Sequence, residues 1–361
     1  MSKTKIDSVF VEPLNIKLDE PFEISSGTKD QIENVFVRIT LDNGLEGYGE
    51  ASPLEPINGE NQETAIAAIN SLADFLKGED VKRFDEIAET MKSILWAQAS
   101  ARAALEMALL DALLKFREES LWSYFGGAED TICTDYTISI VGPEEAHEQA
   151  KKLAARGFET LKAKVGKGSK ADLERLQAIS EGAPDCKLNI DANEGFFAGE
   201  AVDFARELEN SDIPLNLFEQ PVKRHDIKGL KKVTEELEVP VGADESVFFL
   251  TDAERIIEMN AADVINIKLM KSGLKEGWEI ANLCKENGVD LMVGCMLESI
   301  LGMTASVQFA SGISGFKFVD LDPRDEVLSA PFEGGARLEG NRYSNIGSIQ
   351  SGLGIDFIEN T

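Results

Sequence analysis

From Thr134 onward the chain repeats one pattern, a short run rich in Val, Ile and Leu followed by a charged stretch of helical periodicity. The runs fall at residues 134–140, 160–165, 187–191, 215–219, 239–244, 263–268, 290–295 and 317–320. Parallel strands need a crossover between them, and the crossover is usually a helix that covers the sheet face, so such strands read as nearly continuous apolar runs. Alternating β and α signals therefore predict an α/β fold, a (β/α)7-8 TIM-type barrel whose last helix is curtailed or replaced.

The residues before this repeat read differently. Alternation at 8–12, 34–40 and 45–49, with a turn at Asp42-Asn43-Gly44, predicts an antiparallel meander. Helical periodicity then runs over 62–76, 83–95 and 98–116. Together these predict an α+β N-terminal capping domain over 1–125, with 325–361 packing back onto it and the barrel over 126–324. Residues 21–30 and 51–63 are polar, with Gly or Pro, and read as long loops suited to act as lids.

Composition narrows the partners. The formal charge of −29 disfavours nucleic acid and anionic membrane. The apolar stretch 101–116 is cut by Arg102, Glu106, Asp111 and Lys115, so it reads as a buried helix rather than a span. The first residues are charged and do not resemble a secretory signal. Cys133, Cys186, Cys284 and Cys295 show no metal or disulfide spacing. A reduced, cytoplasmic setting is expected, with a small-molecule substrate and a homo-oligomeric assembly.

The expected strand ends carry charges in series: Lys162 and Lys164, Asp191, Glu219, Asp244, Lys268, then Asp320 and Asp322. Charges are rarely buried without partners, and the C-terminal mouth of a barrel is where catalytic residues from several strands meet. Three converging carboxylates repel one another unless a cation sits between them, and an oxygen-only donor set points to Mg²⁺, one per subunit. Lys162 and Lys164, two apart, share a face of their strand. Their mutual repulsion is expected to depress their pKa values, which would let a lysine act as a base. Lys268 approaches from four strands away. Two bases on opposite sides of one carbon suit racemisation or epimerisation, with a metal holding the substrate carboxylate.

Lys162-Ala163-Lys164, Asp191-Ala192-Asn193, Glu219-Gln220-Pro221, Ala243-Asp244-Glu245-Ser246 and Lys268-Leu269-Met270-Lys271-Ser272-Gly273, in this order, resemble the enolase superfamily, muconate-lactonizing subgroup. The resemblance implies Asp191, Glu219 and Asp244 as ligands of Mg²⁺, Lys164 and Lys268 as the acid/base pair acting through an enediolate, and Lys162 as the charge that neutralises the substrate carboxylate. Asp320-Leu321-Asp322 resembles the Asp-x-Asp pair with which dipeptide epimerases hold a substrate α-ammonium group. Thr137, Cys295 and Glu298 are then expected to contact the substrate. Where epimerases acting on Ala-Glu carry an arginine in the first loop, Gly27 stands here, and Lys29 is the nearest cation. A dipeptide with a small or apolar second residue is the expected substrate, and a cationic one the next choice. Only one glycine, Gly273, follows the sixth-strand lysines, where the family usually has two.

Other readings remain open on the sequence. An o-succinylbenzoate synthase or an N-acylamino acid racemase would share the bases and ligands but leave Asp320 and Asp322 without a role. A non-catalytic small-molecule binding barrel would make the lysines incidental. Gly166-Lys167-Gly168-Ser169-Lys170-Ala171 matches the G-x-G-x-x-A dinucleotide fingerprint, a weak signal on its own. The only histidines, His147 and His225, do not fall at strand ends, which disfavours a histidine-dyad racemase.

Overall fold

The computed structural model describes residues 3–24, 27–166, 169–213, 215–322 and 331–358. The cap opens with an antiparallel sheet of Ile6–Ile24, Gly27–Leu41 and Glu46–Ala51 in that spatial order. Leu14, Ile16 and Leu18 alternate inward on the first strand, and Ile32, Val35, Val37 and Ile39 are buried on the second. Residues 21–30, read as a loop, differ from that expectation: both strands run on, Phe22 pairing with Lys29 and Ile24 with Gly27. Polar residues that suggest a loop equally suit a hairpin arm, where the ladder supplies the backbone hydrogen bonds. Ser25 and Ser26, at its tip, lie outside the described residues.

The second expected loop holds a short helix, Glu55–Asn58, with Pro56 in its first turn and Gly59 closing it at φ 75°. Helices Gln62–Leu76, Phe84–Ile94 and Ala99–Arg117 complete the cap close to where periodicity put them. The last is buried at every position from Ala99 to Leu114. The third cap strand lies directly against it because Gly49 has no side chain; a Cβ there would sit 2.0 Å from the Ala104 carbonyl oxygen.

Eight parallel strands follow: Tyr136–Ile138, Thr160–Lys164, Lys187–Asp191, Leu215–Glu219, Val241–Ala243, Val264–Ile267, Asp290–Gly294 and Phe316–Asp320. They neighbour one another in chain order, with a helix in each of the seven connections. First and last meet where Asp135 N–H donates to Val319 O at 2.9 Å, which closes the barrel. Residues 323–330, where an eighth helix would begin, and Lys167 and Gly168 of the dinucleotide-like motif lie outside the described residues. Leu217, Val264, Met292 and Phe318 fill one layer of the interior.

Near the C-terminus Phe332–Gly334 pairs with Ile355–Phe357. Phe357 stacks on Phe36 of the cap at 4.7 Å between ring centroids, and Phe332 lies 5.4 Å from the same ring. The end of the chain is thus seated on the first sheet by aromatic burial.

Candidate active site

Side chains of a strand alternate, so the residue two positions beyond an inward apolar residue also faces inward, one step nearer the C-terminal mouth. Leu217 is followed by Glu219, Phe318 by Asp320, and Val264 by Asn266 and Lys268. The apolar layer thus carries a layer of charges above it. Register places Lys164, Asp191 and Glu219 level with one another on adjacent strands.

These charges form a lattice. Lys162 Nζ lies 2.6 Å from Glu219 Oε2, 2.6 Å from Asp320 Oδ2 and 3.2 Å from Asp191 Oδ2. Lys164 Nζ lies 2.6 Å from Asp191 Oδ2, and Lys268 Nζ 2.8 Å from Asp244 Oδ2. Lys271 Nζ contacts Asp244 Oδ1 and the Asp244 carbonyl, each at 2.6 Å. The resemblance assigns Lys271 no role; its signal in the sequence is the i, i+3 spacing from Lys268 across the turn that leaves the strand. All of these side chains are buried.

The expected depression is corrected for Lys162, and Lys268 is raised in the same way. Burial alone would lower both, but the carboxylates facing them outweigh burial and hold their pKa values above the ordinary lysine range. Lys271 is lowered, by burial first. Burial pushes Asp191 and Asp244 up, yet Lys164 and Lys162 beside the one and Lys268 and Lys271 beside the other hold both below the usual range. Glu219 is pushed up to about 7, by burial and then by the Asp191 charge.

A hard divalent cation fits this donor set. Asp191, Glu219 and Asp244 come from three consecutive strands, are buried and offer only oxygen, the donor set a hard cation takes. Glu219 Oε1 is fixed by Asn266 Nδ2 at 2.7 Å. A second acidic cluster lies on the opposite side: Asp135, Asp320 and Asp322 each have an oxygen within 4.8 Å of the others.

One cavity opens above the lattice. Lys164 and Lys268 both line it, with Asp320, Asp322, Thr137 and Cys295 on one side and Leu54, Ile57, Met296 and Leu297 as apolar wall. Thr137 N–H donates to Asp322 Oδ2 at 2.8 Å. Asp320 is held below the usual carboxylate range because Lys162, Lys164 and Lys268 outweigh its burial. Asp322 is pushed up to about 7, by burial and then by Asp320.

Not every expected contact arrives there. Glu298 is not among the described residues that line the cavity. Its carboxylate turns back, accepting from Met296 N–H at 2.9 Å, and burial pushes it up to about 8. Closeness to Cys295 in sequence places Glu298 beside the cavity, whereas the turn after the seventh strand reverses its direction. Gly27 lies in the cap hairpin opposite Ile24.

Residues 6–126 match the family described as mandelate racemase / muconate lactonizing enzyme, N-terminal domain, and residues 145–361 match the enolase C-terminal domain-like family. An L-Ala-D/L-amino acid epimerase from Populus trichocarpa is 44% identical over 92% of this chain and 80% of its own length. The structure of an Enterococcus faecalis dipeptide epimerase, complexed with Mg and the dipeptide L-Leu-L-Tyr, superposes with a TM-score of 0.93 at 35% identity, covering 98% of this chain and 99% of that one. A substrate-liganded complex of the Bacillus subtilis L-Ala-D/L-Glu epimerase gives a TM-score of 0.94 at 36% identity, covering 99% of this chain and 100% of that one. The chain belongs to the mandelate racemase/muconate lactonizing family of the enolase superfamily.

Proposed function

We propose that this protein is a Mg²⁺-dependent dipeptide epimerase, an isomerase that inverts the α-carbon of the C-terminal residue of a dipeptide. One observation carries the reading: Lys164 and Lys268 reach one cavity from strands half a barrel apart, and the same cavity has Asp320 and Asp322 on its wall. In this reading one lysine removes the α-proton and the resulting enediolate is reprotonated by the other lysine from the opposite face. Lys162 offsets carboxylate charge beneath. Asp320 and Asp322 hold the substrate ammonium by charge-assisted hydrogen bonds. Asp191, Glu219 and Asp244 would hold the ion, whose contribution when bound is to anchor the substrate carboxylate and offset its developing negative charge.

The apolar wall of Leu54, Ile57, Met296 and Leu297 supports a small or apolar second residue. The Asp320 and Asp322 pair favours a free dipeptide over an N-acylated amino acid, because two carboxylates at a neutral amide would have only Lys162, itself shared with Asp191 and Glu219, to offset them. The four cysteines are unpaired, which supports a reducing cytoplasm, and among the described residues no helix is long and apolar enough to cross a membrane. The functional division we adopt is a cap over 1–125 and 325–361 and a barrel over 126–324.

Incubating the Mg²⁺-loaded protein with a dipeptide library in deuterated water tests the reading. Deuterium should enter the C-terminal α-position of dipeptides with apolar second residues; exchange confined to Ala-Glu would refute that preference. Asp322→Asn should lose dipeptide turnover, and unchanged activity would remove the ammonium role. A protein that exchanges no α-proton would instead be a binding barrel.

A further inference from the structure

Beneath the ammonium subsite lies a carboxylate that none of the roles above uses. Asp135 stands one residue before the first barrel strand and is 3% exposed. Its Oδ2 accepts from Asn189 Nδ2 at 2.8 Å, and Asn189 Oδ1 accepts in turn from Asn216 Nδ2 at 2.7 Å. Its Oδ1 is buried with no hydrogen-bond partner. An oxygen of Asp135 lies within 4.8 Å of oxygens of both Asp320 and Asp322.

An acid this buried is costly unless something compensates it. Among the described residues the cation paired with this cluster is Lys162, and its ammonium is already shared with Asp191 and Glu219. Burial and the Asp320 charge push the Asp135 carboxyl well above the usual range, as expected where three acids share one lysine with two further carboxylates. Asp135 is not among the described residues of the cavity wall, where Tyr136 and Thr137 stand instead, so a cation in the cavity that restores its ionisation would feel its charge at one remove, through a poorly screened interior.

We propose that Asp135 is a positioning residue of the ammonium subsite, a third carboxylate that acts through Asp320 and Asp322 to make the cavity select substrates with a free α-amino group. The proposal rests on the dipeptide epimerase reading. A dipeptide ammonium entering between Asp320 and Asp322 supplies the missing positive charge, whereas an N-acylated analogue of the same shape does not.

The test compares L-Ala-L-Leu with N-acetyl-L-Ala-L-Leu, by α-proton exchange and by calorimetric binding, in the wild type, in Asp135→Asn, which keeps the shape, and in Asp135→Ser, which removes the carboxylate without filling its place. Whichever variant folds, judged by circular dichroism, should bind the free dipeptide about tenfold more weakly, with kcat within about threefold and little change for the acetylated form. The preference for the free amine then falls about tenfold. An unchanged preference in a folded variant overturns the role of Asp135 and leaves the epimerase reading standing. A wild type that exchanges neither compound, or prefers the acetylated one, overturns both.

Discussion

Lys268 Nζ sits 2.8 Å from Asp244 Oδ2, so one of the two lysines that reach the cavity is held by one of the acids assigned to the cation. Across the mouth Lys164 Nζ makes the corresponding contact with Asp191 Oδ2, at 2.6 Å. Each proposed base is therefore tethered to a proposed ligand. The tethers aim both ammonium groups at one space from opposite walls, and a change at an acid reaches the lysine beside it.

Replacing either lysine should separate the two half-reactions. Lys164→Ala and Lys268→Ala are each expected to slow epimerisation by about 10²–10⁴-fold. Each variant should still exchange the α-proton of one enantiomer of the C-terminal residue, because the remaining lysine serves one face, and the two variants should retain opposite enantiomers. Proton NMR in deuterated water reads both quantities. Exchange of the same enantiomer by both variants would place the lysines on one side of the carbon.

Cation uptake should also appear as stability. A ligand that binds only the folded chain stabilises it by RT ln(1 + [L]/Kd), about 2.7 kcal/mol at a hundredfold excess over Kd. Mg²⁺ should raise the thermal midpoint of chelator-treated protein. In Glu219→Gln, which removes a buried charge pushed up to about 7 and with it a donor, the starting midpoint should hold or rise while the Mg²⁺ increment shrinks. An increment as large in the variant as in the parent would remove Glu219 from the donor set.

Much of this site was legible because a barrel strand obeys a period of two. Lys162 and Lys164, Asp191, Glu219 and Asp320 each close an apolar run, and closing a run is what sets an inward residue at the mouth. What escaped is whatever depends on direction after the strand ends. Glu298 follows Cys295 by three residues yet turns away, and Lys271 reaches Asp244 from the turn beyond Lys268. Asp135 precedes its strand and carries no motif, so only the closed barrel brings it near Asp320 and Asp322. The raised lysines escaped for a similar reason: spacing reveals the neighbouring lysine, but the carboxylates that outnumber it arrive from other strands. The hairpin at 21–30 escaped because a polar β-arm and a polar loop share composition.

Two buried glutamates away from the proposed ligands predict an unusual pH dependence. Glu298 is pushed up to about 8 and Glu106 to about 7, in both cases by burial first, from an ordinary value of 4.5. The folded chain then binds more protons than the unfolded one between 4.5 and about 8, so stability declines as pH rises through that window. Urea midpoints with chelator present should be higher near about pH 5 than near about pH 8, and Glu298→Gln should flatten the slope. A midpoint that climbs toward alkaline pH would contradict the burial of these groups.

Arg224 ties the cap to the barrel at the cavity wall. Its Nη1 donates to Ile57 O at 2.5 Å and its Nη2 to Pro56 O at 3.1 Å, while Nε and Nη2 grip Glu194 at 3.0 and 2.8 Å. Leu54 and Ile57, on that segment of the cap, form part of the wall expected to meet the second side chain. Glu194 lies three residues beyond Asp191, so one guanidinium links the loop after a proposed ligand to the apolar wall. Arg224→Ala should raise KM for dipeptides with apolar second residues by about tenfold while kcat stays within about threefold, because positioning is lost and the lysines are untouched. Arg224→Lys should rescue little, since a single ammonium does not reproduce a planar fork that bonds two carbonyls and a carboxylate together. Hydrogen exchange at 55–58 should quicken in both variants. Unchanged exchange together with an unchanged KM would show that the cap segment keeps its place without the arginine.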